Sequence, residues 1–235
     1  MSDMDTAQTP KTQTQTPAQT PAQTKSRQRV ADHGEVFTAE REVNAMLDLV
    51  KPQSQQINTT FLEPACGTGN FLAQILSRKL ATALAKAQIG KNKKSQYAYE
   101  FNAIWAISSI YGIELLADNC AECRERLLAL FVAHYQNNFK KTNQEIVAIA
   151  KFLLDKNIVN GNALDLKVVE TGEPIIFSEW KFSGENIIRR DFYYANSDNN
   201  APVEKQLTGS FIAQEIHNYP PIYYLDIMQG VPYAP

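Results

Sequence analysis

Glu63-Pro64-Ala65-Cys66-Gly67-Thr68-Gly69-Asn70-Phe71 constrains this chain more than any other stretch, because it joins an apolar strand to an amphipathic helix through a turn with two glycines. Thr60-Phe61-Leu62 has the character of a short buried strand. From Phe71, the apolar residues Leu72, Ile75, Leu76, Leu80, Ala83 and Leu84 recur at helical spacing. Gly67 and Gly69 fall between the two. There the missing Cβ lets the backbone reach positive φ and lets a nucleotide-like ligand approach the main chain closely.

The rest of the chain alternates in the same way. Val43, Met46, Leu47 and Val50 predict a helix within Phe37 to Val50, with Thr38 as its N-cap, followed by a polar loop from Lys51 to Asn58. After the glycine turn and its helix come a lysine-rich break from Gly90 to Lys94, a helix over Gln96 to Ser108 and a strand over Ile110 to Ile113. Further helices are expected at Leu116 to Tyr135 and Gln144 to Leu154, then a third strand at Asn157 to Val159 and a fourth at Pro174 to Phe177. Strands alternating with helices imply an α/β fold, a parallel sheet covered by helices on both faces.

Composition limits what this fold can do. At 235 residues, 44% of them hydrophobic, the chain can bury the core of one α/β domain but hardly of two. A net charge of −2 gives no bulk signal for nucleic-acid binding, so any such contact needs a local patch or a partner. Three cysteines, with no signal-peptide pattern and no long apolar span, point to a reduced cytoplasmic protein away from membranes. Residues 1–26 are rich in Thr, Gln and Pro and read as a disordered tail, or else as a docking peptide.

The nonapeptide resembles motif I of the S-adenosylmethionine (SAM) dependent DNA methyltransferases, specifically the N6-adenine methylases of restriction-modification systems. The resemblance runs from about Arg27 to Leu166, the SAM-binding half of such an enzyme. It implies a doubly wound, Rossmann-like class I methyltransferase fold, incomplete at the C-terminus. It also implies that Glu63, Pro64, Ala65, Gly67, Gly69, Asn70 and Phe71 wrap the methionine part of SAM, with Glu63 near its amino group. Gly34-Glu35-Val36-Phe37-Thr38 is similar to the family's N-terminal motif, with Ala39 where a proline is usual, which implies that Phe37 and Thr38 run past the methionine end.

Glu114 ends the second strand, where an acid is placed to bind the ribose hydroxyls of a nucleoside; the alternative is a surface carboxylate. Such an acid usually lies roughly 20 residues past the glycines. The lysine-rich break and the added helix account for the longer gap here. Gly161-Asn162-Ala163-Leu164 resembles the third motif, in which Asn162, or Asp165 in its stead, would meet the adenine amino group, the alternative being a polar loop leaving the strand; Leu115 and Ala163 complete the cofactor set. Cys120-Ala121-Glu122-Cys123 has metal-site spacing. Its thiols, however, share a helical stripe with Leu116, Leu127, Leu130 and Phe131 and read as core, so no metal is expected.

The family's catalytic string is Asp, Asn or Ser followed by Pro-Pro and an aromatic, whose oxygens and ring hold the flipped base. No such string occurs here. Ser178 and Trp180 stand at the expected exit of the fourth strand without the prolines. Asn218-Tyr219-Pro220-Pro221-Ile222-Tyr223 has the prolines with one residue too many; both stretches read as structural before catalytic. Arg189-Arg190-Asp191-Phe192-Tyr193-Tyr194 could meet DNA or a partner chain, or form an exposed loop or edge strand. The segments are thus a tail (1–26), a SAM-binding domain (27–177) and an irregular extension (178–235). The expected function is SAM-dependent methylation of DNA. Two rivals stay open: a SAM-binding chain that needs a partner subunit for its catalytic motif or target recognition, and a methyltransferase for a small molecule or protein.

Overall fold

The structure, a computed structural model, describes residues 26–33, 36, 38–91, 93–196 and 211–233. The chain divides into two compact units, Met1–Val36 and Phe37–Pro235. In the first, helix α1 (Arg27–His33) starts beside Ser26, whose hydroxyl accepts the Arg29 amide at 3.1 Å as an N-cap does. The tail up to residue 25, and Gly34, Glu35 and Phe37 of the N-terminal motif, lie outside the described residues.

In the second unit, α2 (Glu40–Asp48) buries Val43 and Leu47. Its N-cap is Ala39 and not Thr38, and no side chain caps it. The polar loop expected after it contains a short helix, α3 (Lys51–Gln55), with Pro52 in the first turn, where a missing N–H leaves no bond unmade. Strand β1 (Phe61–Glu63) passes through the glycine turn into α4 (Asn70–Lys86), which buries Leu72, Ile75, Leu76, Leu80 and Ala83. The lysine-rich break is a small antiparallel hairpin, β2 (Gln88–Gly90) with β3 (Lys93–Lys94). Helix α5 (Gln96–Ser108) is capped by the Ser95 side chain, which accepts from the Ala98 amide. After β4 (Ile110–Glu114), α6 (Ala117–Asn138) buries Cys120, Cys123, Leu127, Phe131 and Tyr135 along one stripe. Helix α7 (Gln144–Asn157), capped by Asn143, leads into β5 (Ile158–Asn162).

Strands β1, β4 and β5 lie side by side and parallel, with Glu63 opposite Gly112 and Glu114 opposite Asn160. The fourth strand of this sheet is not the expected Pro174–Phe177 stretch. It is β6 (Lys167–Val168), antiparallel to β5, so the sheet is mixed. The cause is local: Leu166 adopts a left-handed φ of 56° and folds the chain back beside β5, leaving Pro174 a single bridge to Lys167. The α/β class stands, with α4, α6 and α7 packed on β4 and β5.

The stretch after Phe177, expected to be irregular, builds a second sheet instead. Strands β7 (Phe177–Ser183), β8 (Asn186–Asn196), β9 (Phe211–Asn218) and β10 (Ile222–Tyr223) are antiparallel, and a 3-10 helix follows at Tyr224–Gln229. β8 is its central strand, pairing with β7 on one side and with β9 and β10 on the other, so Arg189 to Tyr194 form neither a loop nor an edge. Arg189 and Asp191 form a two-pronged ion pair at 2.7 Å, and Asp191 also accepts from Ser178 at 2.7 Å and Tyr219 at 3.1 Å. The Arg189 guanidinium lies over the Tyr219 ring at 4.5 Å and the Trp180 ring at 5.3 Å. Arg190 pairs with Glu179 and Glu215.

At the amino ends of β1 and β4 sits Lys79, fully buried on α4. Its ammonium donates to the carbonyls of Ile57, at 3.1 Å, and Thr59, and to the Ser109 hydroxyl. These acceptors lie just before the two strands, and the Phe61 amide donates to the Ser109 carbonyl at 2.9 Å. Burial pulls Lys79 down to about 7. An unfolded lysine titrates near 10.4, so between about pH 7 and pH 10.4 the unfolded chain holds the extra proton and stability rises with pH. Denaturant melts across that window should show a slope of up to about 1.4 kcal/mol per pH unit in the wild type. Lys79→Met should flatten it; an equal slope in both proteins would contradict the assignment.

Candidate active site

The carboxyl ends of β1, β4 and β5 face one edge of the parallel sheet, and the glycine turn leaves β1 there. Cys66 is tied down by its amide, which donates to the Ile113 carbonyl at 3.0 Å, and Gly69 closes the turn on the Cys66 carbonyl at 2.8 Å. Gly67 and Gly69 have φ of 53° and 83°, left-handed values that favour glycine. Space matters as much as conformation, since a Cβ on Gly69 would lie 2.7 Å from the Cys123 sulfur on α6, and one on Gly112 2.8 Å from the Cys66 sulfur. The turn therefore lies pressed between β4 and α6.

Glu114 binds this turn from the neighbouring strand. Its side chain is buried, 7% exposed, and Oε2 accepts the Gly67 amide at 2.8 Å while Oε1 accepts the Leu116 amide at 2.9 Å. A carboxylate has about four acceptor sites, so capacity remains for further donors such as hydroxyls. Asn160, which sequence reasoning missed, holds the exit of β4: its Nδ2 donates to the carbonyls of Glu114 at 2.8 Å and Leu115 at 3.0 Å.

The other residues singled out in the sequence sort into those at this edge and those elsewhere. Glu63 ends β1, half-buried, and burial pushes its carboxyl above the usual carboxylate range against an opposing hydrogen bond from the Ala65 backbone. Pro64 and Ala65 are exposed, and Leu115 leaves 47% of its surface in solvent. Phe71 packs on the core at the start of α4. Asn70 donates through Nδ2 to the Thr38 carbonyl at 2.9 Å, bringing Thr38 to the turn. At the end of β5, Asn162 accepts the Leu164 amide at 3.0 Å and Asp165 the Lys167 amide at 3.2 Å, while Ala163 is half-buried between them.

Ser178 and Trp180 belong to the second sheet and are spent on packing. Ser178 is 2% exposed, with its hydroxyl on Asp191 and its carbonyl accepting the Tyr111 hydroxyl at 2.8 Å. The Trp180 indole donates to Asn157 Oδ1 at 2.8 Å, at the end of α7. Tyr219 of the proline-containing stretch is held by Asp191 and by its own amide, which donates to the Arg189 carbonyl at 3.0 Å. All three cysteines are free and buried. The Cys66 thiol is pushed up by its hydrogen bond with Cys123 and by burial, and burial raises Cys120 to about 11. Among the described residues no cluster of His, Cys, Asp or Glu could hold a metal ion, and no helix is long and apolar enough to cross a membrane.

Comparison with known proteins gives one family. The model of the MmeI DNA-methyltransferase domain matches residues 36–187, which take in the glycine turn, Glu114 and the end of β5. No curated protein and no solved structure matches the chain. With well over half of its length matched, the chain belongs to the MmeI DNA-methyltransferase domain family, DNA methyltransferases of restriction-modification type.

Proposed function

We propose that this chain is a SAM-dependent DNA methyltransferase acting on the N6 amine of adenine in the cytoplasm, and that SAM binds at the carboxyl ends of β1, β4 and β5. The observation that carries this reading is the Glu114 carboxylate, which ties strand end and glycine turn together and keeps lone pairs for a ribose. A doubly wound methyltransferase sheet would place its ligand at this edge. The residues fit the group. Leu115 offers an apolar surface beside Glu114 for the adenine ring, and Asn162 retains an acceptor lone pair for its amino group. An ammonium such as that of the methionine moiety would oppose the upward push that burial gives the Glu63 carboxyl. Thr38 would border that end.

SAM would supply the electrophilic methyl group, and the chain's own part is to place it and exclude water. A base pocket is the remaining requirement. The occupied side chains of Ser178 and Trp180 favour a second reading, in which the oxygens that orient the target amine come from a partner chain.

Calorimetry with SAM and S-adenosylhomocysteine on the wild type and on Glu114→Gln tests the cofactor site. The wild type should bind, and the amide, which accepts through one atom only, should weaken binding by about 1.5 to 3 kcal/mol. Absence of binding in the wild type would overturn the proposal, and equal affinity would remove Glu114 from the site. Transfer of label from SAM to unmethylated DNA tests the pocket. Without preorganised acceptors the chain alone should run about 100- to 1000-fold below the rate with its partner, and Ser178→Ala should not change that rate. Fast methylation by the isolated chain, lost in Ser178→Ala, would restore Ser178 to catalysis.

A further inference from the structure

Asn70 is the first residue of α4, yet its side chain does not cap the helix; the N-cap is Gly69, with no side-chain bond. Its amide is used at both ends instead. Nδ2 donates to the Thr38 carbonyl at 2.9 Å, and Oδ1 accepts from the guanidinium of Arg126. The same guanidinium reaches the Thr68 carbonyl at 3.4 Å. Arg126 lies on α6, three residues past Cys123, whose sulfur already abuts Gly69. Its side chain is exposed, so a single rotamer aimed back at the glycine turn costs entropy that solvent contact alone would not recover.

We infer that Asn70 and Arg126 form a latch, a pair of positioning residues that holds the segment at Thr38 over the glycine turn. This rests on the cofactor reading above and goes beyond it, because Arg126 enters the site and Asn70 changes role. With one bond from its nitrogen holding Thr38 and one to its oxygen holding Arg126, Asn70 acts on the cofactor through the Thr38 carbonyl and the turn. Three parts of the chain meet at this one amide: the segment before α2, the glycine turn and α6. The segment is anchored here by a side chain on its main-chain carbonyl, a contact that does not depend on the Thr38 side chain. The latch adds to the packing of α2 on α4 through Val43 and Leu47, since Thr38 and Ala39 are themselves only half-buried.

Asn70→Asp separates the two bonds. The carboxylate keeps and strengthens the link to Arg126 but cannot donate to Thr38, and a negative charge in the first turn of α4 favours the helix. A latch predicts that S-adenosylhomocysteine binds Asn70→Asp about 10-fold more weakly, the scale of one net hydrogen bond, while the melting temperature holds or rises. Arg126→Ala should weaken binding about 3- to 10-fold, and Arg126→Lys, which keeps a cation at the turn, should recover part of the loss. The double variant Asn70→Ala with Arg126→Ala should lose less affinity than the two single losses combined, because the Asn70–Arg126 bond is counted in both and only the Thr68 contact is left for the second change to remove.

The idea fails if Asn70→Asp binds as the wild type does, or if affinity falls only in step with melting temperature. It also fails if Asn70→Asp weakens binding and Arg126→Ala does not, a pattern that would make Asn70 a direct cofactor contact. A wild type that binds no cofactor would overturn the cofactor reading itself and the latch with it.

Discussion

The carboxylate of Glu114 has no mobile role in this fold; it is the joint on which the candidate site is built. Removing a charge from water costs several kcal/mol unless hydrogen bonds replace the lost solvation, and here the Gly67 and Leu116 amides do so. Each bond serves a different loop. One fixes the turn leaving β1, the other fixes the start of α6, and both loops thereby keep one position relative to the ends of two neighbouring strands. The close packing around them follows from that arrangement, since the Cys66 and Cys123 sulfurs fill the space that Cβ atoms on Gly112 and Gly69 would need.

Lys79 does at the amino ends of the same strands what Glu114 does at their carboxyl ends. Its contacts with Ile57, Thr59 and Ser109 set where β1 and β4 begin, so a strand of only three residues is held at both ends by a buried ionisable group. Short strands have few ladder bonds of their own, which makes such side-chain ties decisive for register. The two groups have opposite surroundings. Glu114 sits at an edge where a ligand can arrive, whereas Lys79 is closed off by α4.

Much of the first sheet was legible because its signals are apolar and periodic. The helix read over Gln96 to Ser108 has those bounds in the structure, and Cys120 and Cys123 lie in the core stripe where their spacing put them. The second sheet was hidden for the opposite reason. Its inward positions include Ser178, Asp191 and the part-buried Arg189, polar groups that satisfy one another, so the apolar alternation of β7 and β8 is broken where they stand. The reversal into β6 was equally silent, since a left-handed Leu166 has no sequence signature. At the candidate site, the strand-end positions of Glu63 and Glu114 could be read from order along the chain. The roles of Asn160 and Arg126 could not, because they act on backbone carbonyls far away in sequence.

A crystal structure of the chain with S-adenosylhomocysteine is the most direct test of this account. The account predicts the ligand across Gly67 and Gly69 with its ribose hydroxyls on Glu114, and the carboxylate still bound to the Gly67 and Leu116 amides. A ligand seated elsewhere, or a Glu114 side chain released from those amides on binding, would contradict it.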